Sequence, residues 1–117
     1  MESGTERAKL AVLWTTADRE TVSGMVLPYA LEAALSGRFE TVRLAARGPS
    51  VRVMSGYGDM AQRIAELIAG GVEVSADSWG ADMYGAAEAL ERMGVRLTDV
   101  GAMLTDMVCG GWQILSL

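Results

Sequence analysis

The feature that most constrains this chain is an alternation of short apolar runs with stretches of helical period. Lys9–Trp14 is a brief apolar run followed by turn-prone Thr15, Thr16, Ala17 and Asp18, so its length and flanks mark it as a buried strand. From Arg19 to Ser36 the apolar residues Val22, Met25, Val26, Tyr29, Ala30 and Ala33 recur at helical spacing, and Gly37 ends the pattern. Pro28 lies inside this helix, removes the amide that would bond to Gly24, and predicts a kink there. Thr41–Ala46 reads as the second strand, ended by Gly48, Pro49 and Ser50. A helical turn over Ser50–Ser55 and a break at Gly56-Tyr57-Gly58 follow. Asp59 is placed to cap a helix with Met60, Ile64, Leu67 and Ile68 on one face, closed by Gly70-Gly71. Val72–Ser75 is the third strand, Ala81–Met93 a helix, Val95–Leu97 the fourth strand, Ala102–Val108 a short helix and Trp112–Leu117 the fifth strand.

Strands that alternate with helices in this way make βαβ units. The predicted fold is therefore α/β: a three-layer α/β/α sandwich around a five-stranded, mostly parallel sheet. A chain of 117 residues has room for one such core. The domain is expected over residues 9–117, behind a flexible N-terminal lead at residues 1–8.

Charge and cysteine usage narrow the function classes. The net charge is −5 and the ten Lys and Arg residues are scattered, which argues against nucleic acid and against an anionic membrane surface. The first apolar run, Leu10–Trp14, is far shorter than the roughly 20 residues that cross a bilayer, and no signal-like segment precedes it. The single cysteine, Cys109, has no partner for an internal disulfide, which fits a reducing, cytoplasmic compartment.

In an open α/β sheet, ligands bind beyond the carboxyl ends of the strands. That rule selects the loops Trp14–Glu20, Ala46–Ser50 and Ala76–Asp82, and with them Thr15, Arg19, Arg47, Ser50, Asp77, Ser78, Trp79 and Asp82 as pocket candidates. Asp77 and Asp82 could be a carboxylate pair for acid/base work. The commoner reading is that Asp77 or Ser78 caps a helix and Asp82 in its first turn complements the dipole. No histidine is present, which removes the usual general base, the Ser-His-Asp and Cys-His arrangements and most zinc sites, and no metal or cofactor is expected. No glycine-rich phosphate loop follows the first strand, where Trp14-Thr-Thr-Ala-Asp18 stands instead. Cys109 falls near a helix C-terminus, where the dipole disfavours a thiolate, and it reads as a small buried or half-buried hydrophobe. The methionines read mostly as core packing.

Several segments taken together resemble the DsrE/DsrF-like family of small sulfur-relay-related proteins. They are Lys9–Thr16 with Asp18-Arg19-Glu20, Gly48-Pro49-Ser50, Ala81-Asp-Met-Tyr-Gly85, Gly101–Thr105 and Gly111–Leu115. The resemblance implies a homo-oligomer, a trimer or a hexamer built from trimers, and kinship with proteins that carry persulfide on a cysteine after the third strand. In this register that cysteine falls at Asp77 and a second one at Gly80, so both thiols are missing here. A carboxylate carries no sulfane sulfur. The reading that follows is a non-catalytic member, a homo-oligomeric small-ligand-binding or scaffold protein. The alternative is a sulfur-relay component that acts through Cys109 or serves as a cysteine-free subunit beside a sulfur-relay partner protein. An enzyme using Asp77 with Arg19 ranks behind both.

Overall fold

The computed structural model describes residues 7–117. The expected lead at residues 1–8 lies outside it through residue 6, and Ala8 already belongs to the first strand. In chain order the elements are β1 (Ala8–Trp14), α1 (Arg19–Thr21), a π-helical turn (Val22–Val26), α2 (Leu27–Leu35), β2 (Phe39–Ala46), α3 (Pro49–Gly56) and α4 (Met60–Ala69). After these come β3 (Val72–Asp77), α5 (Ser78–Met83), α6 (Ala87–Arg92), β4 (Arg96–Thr98), α7 (Val100–Cys109) and β5 (Gln113–Ser116).

The sheet has the order β4-β3-β2-β1-β5, and every pairing is parallel. The first four strands step outward in one direction, so right-handed crossovers carry α1 to α6 over one face. The return from β4 to β5 crosses the whole sheet and places α7 on the other face, against β3. This is the expected α/β sandwich, with unequal outer layers.

Register explains where the core lies. Leu10, Val42 and Val72 pair in one row, Val12, Leu44 and Val74 in the next, and Trp14, Ala46 and Ala76 in the third. All nine are buried, and they meet Val26, Leu27, Val51, Met54, Ile64, Leu67 and Leu90 from the helices. Burial of each large aliphatic side chain in this layer contributes roughly 1.5–3 kcal/mol.

Two local expectations change. The kink expected at Pro28 is absorbed a turn earlier: the Leu27 amide reaches back to Val22 O in a π-helical bond. Pro28 has no amide to offer, and Ser23 O accepts instead from Arg63 Nη2 at 3.2 Å. The single helix expected over Ala81–Met93 is two. Gly85, at φ 64°, closes α5 with bonds from its own amide to Asp82 O (3.1 Å) and from the Ala86 amide to Ala81 O (2.8 Å). An L side chain at that φ is strained, so the glycine fixes the break. Among the described residues no helix is long and apolar enough to cross a membrane.

Candidate functional site

Beyond the carboxyl ends of β2, β3 and β4 lies a cavity of about 300 Å³. Arg47 and Gly48 border it from the β2 exit, Asp77, Ser78, Trp79 and Gly80 from the β3–α5 junction, Met83 and Tyr84 from the end of α5, and Asp99 from the β4–α7 junction. Four of the eight pocket candidates named from sequence, Arg47, Asp77, Ser78 and Trp79, therefore share one wall.

Asp77 organises this site. It is the last residue of β3 and is 7% exposed. Oδ2 accepts from the Gly80 amide (3.3 Å) and Oδ1 from the Val100 amide (3.1 Å), so one carboxylate caps α5 and anchors the first residue of α7. The capping role expected of Asp77 holds, and it extends to a second helix 23 residues away in sequence. Asp99 does the local work for α7, with Oδ1 accepting from the Ala102 amide at 3.0 Å. Both carboxylates are committed to backbone donors.

Arg47 is held differently. Its amide donates to Trp14 O (3.0 Å) and its carbonyl accepts from Ser50 Oγ (3.0 Å), which fixes the backbone at the sheet end. Its side chain is exposed and, among the described residues, makes no ion pair and no hydrogen bond. Trp79 is 71% and Met83 55% exposed, so the rim of the cavity is apolar and open.

The other candidates lie elsewhere. Ser50 is fully buried, with Oγ donating to Trp14 O at 2.5 Å, and it ties β1 to the start of α3. Thr15 sits by the chain end, where its amide donates to Leu117 O (2.8 Å). Arg19 stacks its guanidinium on Tyr57, 4.4 Å from the ring centroid, and does not border the cavity with Asp77. Asp82 is in the last turn of α5 and outside the lining, because that helix starts at Ser78; the first-turn placement expected from sequence is corrected. The Trp14–Glu20 loop contributes a cap instead. Asp18 Oδ2 accepts from the Thr21 hydroxyl (2.6 Å) and amide (2.9 Å), and these bonds hold its carboxyl below the usual carboxylate range.

Cys109 is exposed, which corrects its reading as a buried hydrophobe. It ends α7, a helix that starts at the cavity and runs to the opposite rim of the sheet. Ten residues at about 1.5 Å each put the thiol roughly 15 Å from Asp99 along the axis. Met54, Met60 and Met107 are buried and Met93 packs against the core, whereas Met25 and Met83 are exposed, so core packing accounts for four of the seven methionines described. No metal-binding cluster of acidic or sulfur ligands occurs among the described residues.

Sequence reasoning missed Gly48, Gly80, Met83, Tyr84 and Asp99 as lining residues. A usable signal existed for Asp99: an Asp just before an apolar helical stretch is an N-cap signature.

No family model matches the chain, and neither does any curated protein. Among solved structures, BT1422 of Bacteroides thetaiotaomicron, a conserved protein of unknown function, superposes with a TM-score of 0.88. It is 28% identical and covered over 94% of its length by 93% of this chain. MTH1491 of Methanobacterium thermoautotrophicum, also of unknown function, gives a TM-score of 0.70 at 21% identity, over 94% of this chain and 99% of that one. The fold is thus shared over nearly the full length of all three chains.

Proposed function

We propose that this chain is a non-catalytic, DsrE-like cytoplasmic protein that binds a small ligand in the cavity beyond β2, β3 and β4 and assembles as a homo-oligomer, a trimer or hexamer. The observation that carries the ligand reading is the commitment of Asp77. It stands where the resemblance puts the sulfur-carrying cysteine, and both its oxygens accept bonds from helix amides. A carboxylate held that way ties the starts of two helices together and shapes the pocket between them. Support for self-assembly comes from α7, which has one charged residue, Asp106, in ten yet buries only Val100 and Met107. A helix apolar on nearly every side is normally covered on nearly every side.

Native mass spectrometry followed by denaturing intact mass tests both parts. An oligomer carrying extra non-covalent mass per subunit is the expected result. A monomer at micromolar concentration would remove the assembly, and an oligomer with bare subunits from fresh lysate would remove the resident ligand.

The exposure of Cys109 favours one second reading, a sulfur-relay role through that thiol or beside a cysteine-bearing partner. The same denatured mass decides the first version. A gain of one sulfur atom, abolished in Cys109→Ser, would replace the binding reading with a carrier. The position of the thiol, a helix length from the cavity, requires any such transfer to use a different surface.

A further inference from the structure

Resting on the pocket reading above, we infer that the cavity takes a small planar organic monoanion, with its carboxylate on Arg47 and its flat body against Trp79. The lining offers three charged groups, and two are already used. Asp77 accepts from the Gly80 and Val100 amides, and Asp99 from the Ala102 amide. Arg47 is the cation left over, carried on a backbone fixed at both its amide and its carbonyl. A guanidinium presents a rigid fork of donors that suits a carboxylate in two-point contact.

Gly101 places that fork. A Cβ there would lie 3.1 Å from Arg47 Nη1 and 3.4 Å from Asp99 Oδ1, so the guanidinium rests against the first turn of α7 because position 101 has no side chain. Arg47 and Asp99 flank this glycine without closing into an ion pair. Among the described residues no group holds this guanidinium, so a ligand carboxylate entering here gains a partner without displacing one.

The charge balance limits the ligand to one negative charge. The lining holds one guanidinium and two carboxylates, so only a single ligand charge finds a cationic partner there. A second ligand charge would face Asp77 and Asp99 unopposed. The body of the ligand is set by the apolar side of the cavity, where Trp79, Met83 and Tyr84 converge. Trp79, 71% exposed on a six-residue helix, leaves a ring face free for stacking.

The test titrates cinnamate and the neutral cinnamamide into the full-length protein, following the Trp79 indole by heteronuclear NMR. Cinnamate is expected to bind at least about tenfold more tightly than cinnamamide, and Arg47→Gln should erase that preference, since one charge-assisted contact is at stake. Gly101→Ala should weaken cinnamate severalfold while leaving the thermal midpoint unchanged or raised, because alanine favours the helix. Equal binding of both compounds, unchanged by Arg47→Gln, overturns the anion and leaves the pocket intact. If neither compound moves the Trp79 signal, the planar-anion inference is overturned, and the pocket itself is then judged by the native mass spectrum alone.

Discussion

The two faces of the sheet are built from the same strands and have opposite character. On the face under α1 to α6, the rows Leu10–Val42–Val72 and Val12–Leu44–Val74 are aliphatic throughout and buried. On the other face, the alternate rows read Ala11–Arg43–Glu73 and Leu13–Ala45–Ser75–Arg96. Arg43 there bonds Glu73 through Nη2 (2.9 Å) and Nε (3.0 Å) and lies 4.6 Å from the centroid of Trp112. The only large side chains that α7 buries are Val100 and Met107, and Val108 stays 58% exposed. One face therefore buries most of the large aliphatic side chains. A half-exposed ion pair such as Arg43–Glu73 adds at most about 1 kcal/mol to the second. The lesson is that a single pleated sheet can carry an aliphatic core on one side and a thinner, more polar layer on the other, because successive side chains point opposite ways.

The contrast is tested most severely at Leu44 and Met107. Leu44→Ala opens a cavity in the central row of the core and should cost about 3–5 kcal/mol in urea unfolding. Met107→Ala, under a helix with one open flank, should cost about 2 kcal/mol or less, since its neighbours can relax. Equal losses would show that the α7 face carries as much of the stability as the core.

A smaller effect is expected at Asp77, where the two faces are tied together. Asp77→Ala removes the acceptor for both the Gly80 and the Val100 amides and should cost about 2–3 kcal/mol. Asp77→Asn keeps one carbonyl oxygen and should lose about half as much. An asparagine variant as damaged as the alanine one would assign the role to charge and not to the two bonds.

The smallest effect belongs to Asp18, an exposed cap at the start of the core-covering helices. Its folded pKa lies below its unfolded one, so its stabilising contribution is complete at neutral pH and is lost as pH falls through the folded value. NMR titration of the Thr21 amide should show a midpoint below that of an ordinary aspartate. A midpoint at the ordinary value would mean that the cap is open in solution.

Much of the fold was legible in the sequence because strand and helix write different periods into apolar spacing. All five strands were located, with ends shifted by one or two residues in each, most at the start of β2 and the end of β3. The break at Gly85 was not, since a helical apolar pattern runs through it from Met83 to Leu90. Of the site, the loop rule found Arg47, Asp77, Ser78 and Trp79, which follow strands directly. It also admitted Thr15, Arg19, Ser50 and Asp82, because it ranks loops without knowing which strands are neighbours at the cavity.

What the sequence by itself determined is the five strands and the helical stretches between them, a mostly parallel sheet, and the absence of histidine and thiol chemistry at the β3 exit. These follow from local periodicity and residue type. Only the tertiary structure decided that α7 crosses to the sparsely covered face, that Asp77 captures an amide 23 residues away, and that Arg47 comes to rest over Gly101. Each of those is a contact between segments distant in the chain. Its geometry is set by how the sheet twists and packs, and no local pattern of residues encodes that.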